Sequence, residues 1–323
     1  MISNTNKQNK KILEIKNLTV GIRSKNKNLK IIDDLSLDVR ENEIVGVAGE
    51  SGCGKSMLCK AILGILPGDI EILSGSIKFA GEEIGSIKKL KAIRGSDINM
   101  IFQEPVSALH PLKKVGKQIG ESLRLHSDLN SKEIKEKVIE TMVSVGINEA
   151  EKRYNQYPHQ LSGGLCQRVV IAMAIINKPK LLIADEPTTA LDVTVQARVL
   201  NLLKKLQKKT GTSIIFISHD LAVLSQLVDR INVMYCGEIV EENQKKEIFK
   251  KPYHPYTKDL INAIPEIGKK ELQSIKGSVP LPEDYPCLCK YKDRCKEKFG
   301  KCDIEKPCLY VKENAKIRCL KYE

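Results

Sequence analysis

The octapeptide Gly49-Glu50-Ser51-Gly52-Cys53-Gly54-Lys55-Ser56 restricts this chain more than any other stretch. It satisfies G-x-x-x-x-G-K-[ST] at every fixed position. The apolar run Ile44-Val45-Gly46-Val47-Ala48 precedes it and Met57-Leu58-Cys59-Lys60-Ala61-Ile62-Leu63 follows it, so the pattern predicts a strand, a tight loop and a helix in that order. In such a loop Gly49, Ser51, Gly52 and Gly54 let backbone N–H groups close around a phosphate, and the helix starting near Lys55 turns its positive end toward the anion. Lys55 is then expected to bridge the β- and γ-phosphates, with Ser56 holding magnesium.

A second apolar run, Leu181-Leu182-Ile183-Ala184, reads as a strand buried on both faces, as in a parallel sheet covered by helices. It delivers Asp185 and Glu186 to the carboxyl edge of the sheet, where ligands of such folds bind. Asp185 is expected to position magnesium through water, and Glu186 to orient or deprotonate an attacking water. The run Ser213-Ile214-Ile215-Phe216-Ile217 is another buried-strand pattern, so His219 is expected at the same edge. Between these runs lies Leu161-Ser162-Gly163-Gly164. Ser162 suits a helix N-cap, the glycines permit close backbone approach, and Val169 to Ile176 reads as the helix that follows, which makes a second phosphate site on the chain.

These motifs carry a family resemblance. Leu161-Ser162-Gly163-Gly164 with Gln167-Arg168 resembles the signature of ATP-binding cassette (ABC) proteins. Gln103 in Ile101-Phe102-Gln103-Glu104-Pro105 resembles their Q-loop, Ala190-Leu191-Asp192 their D-loop, and His219 in Ile217-Ser218-His219-Asp220 their switch histidine. The resemblance implies an α/β P-loop cassette with a RecA-like core and a helical subdomain. It also implies ATP and Mg2+ as ligands, the ion near Ser56, Gln103 and Asp185, and a γ-phosphate contact for His219. Catalysis falls to Glu186, His219 and Gln103. Ser162, Gly163, Gly164 and Asp192 then face ATP held by a second, homologous cassette, so one chain cannot complete a site. One position departs from the family: the aromatic residue that usually stacks on adenine is missing near Gly21-Ile22, and no Phe, Tyr or Trp occurs before Phe79.

Organisation along the chain follows. A polar tail reaches to residue 11, strand patterns and the loop helix fill residues 12 to about 105, and about 106–165 is helix-rich. Within it, Ser131 and Glu133 open a helix that Gly146 ends. The cassette is read as 12–245. Beyond it, Pro252-Tyr253-His254-Pro255-Tyr256-Thr257, Leu260 to Pro265 and Gly277 to Pro282 resemble the carboxyl-terminal extension of ATP-binding subunits from dipeptide and oligopeptide importers. Taken without that likeness, 246–323 reads as a proline-rich linker and small appendage. The resemblance implies two transmembrane permease subunits and an extracytoplasmic solute-binding protein as partners, with peptide as cargo. Nickel or another small solute is the alternative cargo, and a soluble ABC ATPase acting on nucleic acid or ribosomes is the alternative class.

Six of the ten cysteines lie between Cys287 and Cys319. Cys289, Cys295, Cys302 and Cys319 are separated by five, six and sixteen residues, a pattern resembling the iron-sulfur site of some peptide-importer subunits. Four thiolates suit a 4Fe-4S cluster or zinc, and free reduced thiols are the competing reading. No C-x-x-C pair occurs, and Cys287 and Cys308 are spare. Cys53, Cys59, Cys166 and Cys236 read as small structural residues.

Composition supports a cytosolic, lysine-rich protein. The net charge is +13, but the lysines are scattered and aromatic residues make up only 4 %, so no base-stacking platform and no nucleic-acid partner are expected. Met1 to Lys11 lacks the apolar core of a secretory signal. Val169 to Ile176 falls far short of the ~20 residues that span a bilayer. The expected location is peripheral, on the cytoplasmic face of the cell membrane, reached through partners.

Overall fold

The computed structural model describes residues 10–24, 28–189, 192–265 and 274–323. The chain divides into two compact units. Among the described residues, a helical unit comprises Lys10, Arg40–Asn42 and those of Ser86–Ile215; a cradle unit comprises those of Lys11–Val39, Glu43–Gly85 and Phe216–Glu323.

In the cradle unit, half-buried strands form one antiparallel sheet in the order Leu29–Arg40, Lys11–Ile22, Ile70–Phe79, Glu82–Glu83. Leu13 lies opposite Phe79 and Ile15 opposite Ile77, so one apolar face is kept in register. The glycine-loop strand Ile44–Ala48 is buried at every position and runs parallel to Arg230–Tyr235, with Val45 opposite Arg230 and Ala48 opposite Val233. A buried arginine in a central strand needs compensation. Arg230 has it from Glu43 at 2.9 Å, Glu242 at 2.7 Å and Asp38 at 3.3 Å.

The region past residue 245 is not a loose linker. Ala315–Ile317 pairs with Glu238–Gln244, placing Glu241 opposite Ile317, and Tyr310–Lys312 adds a further strand. Ala315 and Ile317 pack on Tyr253, with Cys319 and Tyr322 beside them. The prolines act as punctuation: Pro255 opens the helix Pro255–Asn262, and His254 caps it by accepting the Tyr256 N–H at 3.1 Å. The Glu241 carboxylate fixes the approach by accepting the Tyr253 and His254 N–H groups at 3.0 and 2.8 Å.

In the helical unit, Ile98–Ile101 runs parallel to Leu181–Asp185, with Ile101 opposite Ala184. The helix expected over Ser131 to Gly146 runs Ser131–Ser144, and its cap is Asn130, one residue earlier than the serine suggested. Asn130 Oδ1 accepts the Lys132 and Glu133 N–H groups, and Glu133 accepts the Asn130 N–H at 2.8 Å. Ile134, Val138 and Met142, four residues apart, form its buried stripe. Among the described residues no helix is long and apolar enough to cross a membrane.

Candidate active site

The glycine loop takes its shape from two close approaches. A Cβ on Gly49 would stand 2.3 Å from the Met234 carbonyl oxygen, and Gly54 sits at φ +107, a left-handed conformation that disfavours side chains. Gly54 then caps the helix Lys55–Leu63. Lys55 is buried, and its Nζ donates to the carbonyls of Gly49 at 2.8 Å and Glu50 at 3.0 Å. Cys53 lies beneath the loop, where burial pushes its thiol up to about 11. Ser51 and Gly52 are exposed, and Ser56 is half-buried one residue into the helix. His219, directly after the fully buried strand Ser213–Ser218, belongs to this same unit and is exposed.

The acidic pair belongs to the helical unit. Asp185 ends its buried strand, and Glu186 follows at φ +46, 8 % exposed. The Glu186 carboxylate accepts from Thr189 Oγ1 at 3.0 Å and from Gln103 Nε2 at 3.4 Å. Gln103 and Glu186, 83 positions apart, are therefore brought together as the motifs require. In the sequence Gln167 is only company for the signature, yet it is a buried tie: its Nε2 donates to the Pro187 carbonyl at 2.9 Å, linking the signature helix to the acidic turn. A polar residue on the apolar side of a helical pattern was the signal for it.

Ser162 occupies the N-cap of Gly163–Ile175, but its hydroxyl makes no capping bond. Ser162 and Gly163 are exposed, and a Cβ on Gly163 would meet nothing within 4 Å. Asp192 caps Val193–Thr210, its Oδ1 accepting the Val195 N–H at 2.9 Å. Ala190 and Leu191, the rest of the expected D-loop, lie outside the described residues. Of the residues named for magnesium, Ser56 lies in the cradle unit and Gln103 and Asp185 in the helical unit. Ile22, at the position of the missing aromatic residue, pairs with Ile70 in the sheet.

In the cradle unit Cys289, Cys295, Cys302 and Cys319 line one small cavity with His254, Tyr291 and Glu297. Burial pushes the Cys289 thiol up to about 12, and those of Cys295 and Cys319 upward, with neighbouring sulfurs adding to the effect. Among the described residues, however, no three His, Cys, Asp or Glu side chains form a group that could hold one metal ion. The ready-made four-thiolate zinc site that the spacing allowed is thus not formed, since zinc needs its sulfurs at ~2.3 Å from a common point.

Comparison with known proteins agrees with the geometry. Residues 32–189 match the ABC transporter family, and residues 240–302 match the oligopeptide/dipeptide transporter C-terminal region. The chain is 42 % identical to the oligopeptide transport ATP-binding protein AppD of Bacillus subtilis, over 97 % of each chain. It is 43 % identical to the dipeptide transport ATP-binding protein DppD of Haemophilus influenzae, over 95 % of this chain and 94 % of the other. Among solved structures it resembles the dimeric bacterial ABC transporter cassette MJ0796 with a TM-score of 0.65 and 27 % identity, covering 72 % of this chain and 98 % of that one. With the glycine cradle, the Gln103–Glu186 contact and relatives matched over nearly their whole length, the chain belongs to the ATP-binding subunits of oligopeptide and dipeptide ABC transporters, the ATPases that power peptide import.

Proposed function

We propose that ATP binds with its β-phosphate in the Gly49–Ser56 loop and is hydrolysed by a water that Glu186 orients. The observation that carries this reading is the setting of Glu186: nearly buried, left-handed, and engaged by Gln103 and Thr189. A non-glycine residue in that conformation costs about 1–3 kcal/mol, so it persists only where its surroundings over-determine it. Lys55 exchanges its two carbonyl contacts for β- and γ-phosphate oxygens. The Ser56 hydroxyl, the Asp185 carboxylate and the Gln103 amide oxygen are hard donors suited to magnesium, which when bound neutralises charge developing on the phosphoryl oxygens. His219 contacts the γ-phosphate.

Ser162, Gly163 and Gly164, with Asp192, serve ATP held by a second cassette subunit of homologous sequence. The exposed signature turn with its uncommitted serine supports this, as does the dimeric MJ0796 cassette. In the assembled importer, cassette 12–245 and extension 246–323 sit at the cytoplasmic face of the membrane against two permease subunits, and a solute-binding protein delivers peptide from outside. Glu186→Gln is expected to keep Mg·ATP affinity within about threefold and to lower turnover of the assembled complex at least about hundredfold. Undiminished turnover would reject the water-orienting role.

Cys289, Cys295, Cys302 and Cys319 are proposed to hold a 4Fe-4S cluster. Support comes from their meeting at one cavity and from the donor set, since a multi-iron cluster takes thiolates from a wider circle than a single ion. Buried thiols raised in pKa become thiolates only beside a compensating cation. Bound there, the cluster would cross-link the loops of the extension. Anaerobically purified full-length chain should carry iron and acid-labile sulfide, both lost in Cys295→Ser; iron-free protein would refute the assignment.

A further inference from the structure

Glu50 occupies a position that the glycine-loop motif leaves open, and the structure gives it two partners from the extension. Arg294, 244 residues away, grips its carboxylate with both arms: Nη1 to Oε2 at 2.7 Å and Nη2 to Oε1 at 2.9 Å. The Tyr256 hydroxyl accepts the Glu50 N–H at 2.9 Å. The Arg294 side chain is only 8 % exposed and the Glu50 side chain 27 %. The grip is itself supported. Arg294 Nε donates to the Lys276 carbonyl at 2.8 Å, and its guanidinium lies over the rings of Tyr235 and Tyr291 at 5.7 and 5.9 Å. Those rings pack with Tyr256, centroids 4.6 to 5.2 Å apart. All three tyrosines are fully buried.

We infer that Arg294 and Tyr256 are positioning residues of the nucleotide cradle, through which the carboxyl-terminal extension sets the affinity for ATP. The inference rests on the reading of Gly49–Ser56 as the nucleotide loop and adds a role for residues outside the motif. Two physical effects carry it. A carboxylate next to Gly49 repels a triphosphate through a low-dielectric path, and the bidentate guanidinium cancels that charge. The tyrosine holds the Glu50 N–H, which fixes the orientation of the peptide entering the loop and with it the N–H groups of Ser51 to Gly54 that close on phosphate. Lys55 reads the same peptide from the other side, through the Gly49 carbonyl at 2.8 Å. Arg294 also adjoins Cys295, and Tyr291 borders the cysteine cavity, so the brace and that cavity share one short segment.

The test is Mg·ATP titration of the full-length chain. Arg294→Ala should weaken binding about tenfold, Arg294→Lys less because charge survives without the fork, and Tyr256→Phe about threefold. Glu50→Gln combined with Arg294→Ala should recover affinity to within about threefold of wild type, because the repelling charge is gone. The Arg294→Ala deficit should also shrink as salt rises. A merely structural arginine would show neither rescue nor salt dependence. Arg294→Ala binding within twofold of wild type, or a double variant as weak as the single one, overturns the inference. Wild-type protein that binds no Mg·ATP overturns the inference together with the nucleotide reading beneath it.

Discussion

Two glycine-bearing turns in this chain each launch a helix, and they are built in opposite ways. The Gly49–Ser56 loop is packed from below, with Gly49 against the Met234 carbonyl, Cys53 buried beneath it and Glu50 held by Arg294 and Tyr256. In the Ser162–Gly164 turn Ser162 and Gly163 stand exposed, the serine makes no capping bond, and Gly163 faces open space. A socket organised by its own chain differs in this way from a turn that the proposed function gives to another chain. Glycine is required in the first for backbone geometry; in the second, under the proposed function, it keeps the approach clear for a phosphate held by the partner cassette.

The sharpest way to break that contrast is Ser162→Arg. Placed on an exposed turn, the arginine should leave the Mg·ATP affinity of the full-length chain within about twofold. It should lower ATP turnover of the assembled transporter more than about hundredfold, because it fills the surface proposed to complete the partner's site. Equal loss of binding and turnover would show that the turn serves its own chain, and the comparison would fail.

A matched pair of glycine substitutions sharpens it further. Gly54→Ala must hold an alanine at φ +107 with its Cβ 2.8 Å from Met234 Cε. We expect about tenfold weaker Mg·ATP binding and about 1–2 kcal/mol lower stability by denaturant titration. Gly163→Ala enters open space at a helical position, so stability should hold or rise by up to about 1 kcal/mol, while turnover of the assembled complex falls. A destabilised Gly163→Ala with normal turnover would reverse the assignment.

The contrast also explains what was legible in the sequence. Fixed-spacing motifs on buried strands could be read directly, because strand burial and loop glycines are local: Ile44–Ala48, Leu181–Asp185 and Ser213–Ser218 are all fully buried. The pairing of Gln103 with Glu186 was readable only through the family resemblance, since nothing local links positions so far apart. The Glu50–Arg294 grip left no signal at all: a lone arginine among lysines reads as surface, and its partner sits at an open position of the motif. Apart from the family resemblance, the extension reads only as a linker and small appendage, for a related reason. Its order comes from strand addition at Ala315–Ile317 and from the buried carboxylate of Glu241, both set by contacts distant in sequence. Asn130 took the cap from Ser131 because its side chain reaches two N–H groups while Glu133 returns the bond.

The smallest expected effect on nucleotide isolates the brace from mere attachment of the extension. Asp33 also ties the extension to the antiparallel sheet of the cradle unit, through Lys306 at 2.9 Å and Lys290 at 3.3 Å, with Lys30 at 2.8 Å beside it, and these contacts are separate from the Glu50–Arg294 grip. Burial raises the Asp33 pKa, but the three lysines more than offset this, so its carboxyl is held well below the ordinary carboxylate range. A depressed folded value means that the contribution is complete above the unfolded pKa of about 4 and is lost as pH falls through the folded one. Asp33→Asn should therefore lower stability by about 1–2 kcal/mol at pH 7, the exposure of Lys30 and Lys306 discounting the figure while Lys290 is buried, with the difference from wild type narrowing below about pH 4. Mg·ATP affinity should stay within about twofold. If Asp33→Asn weakens ATP as much as Arg294→Ala does, any loosening of the extension suffices and the fork on Glu50 has no special role; if affinity holds while stability drops, docking of the extension and bracing of the cradle are separable functions of one segment.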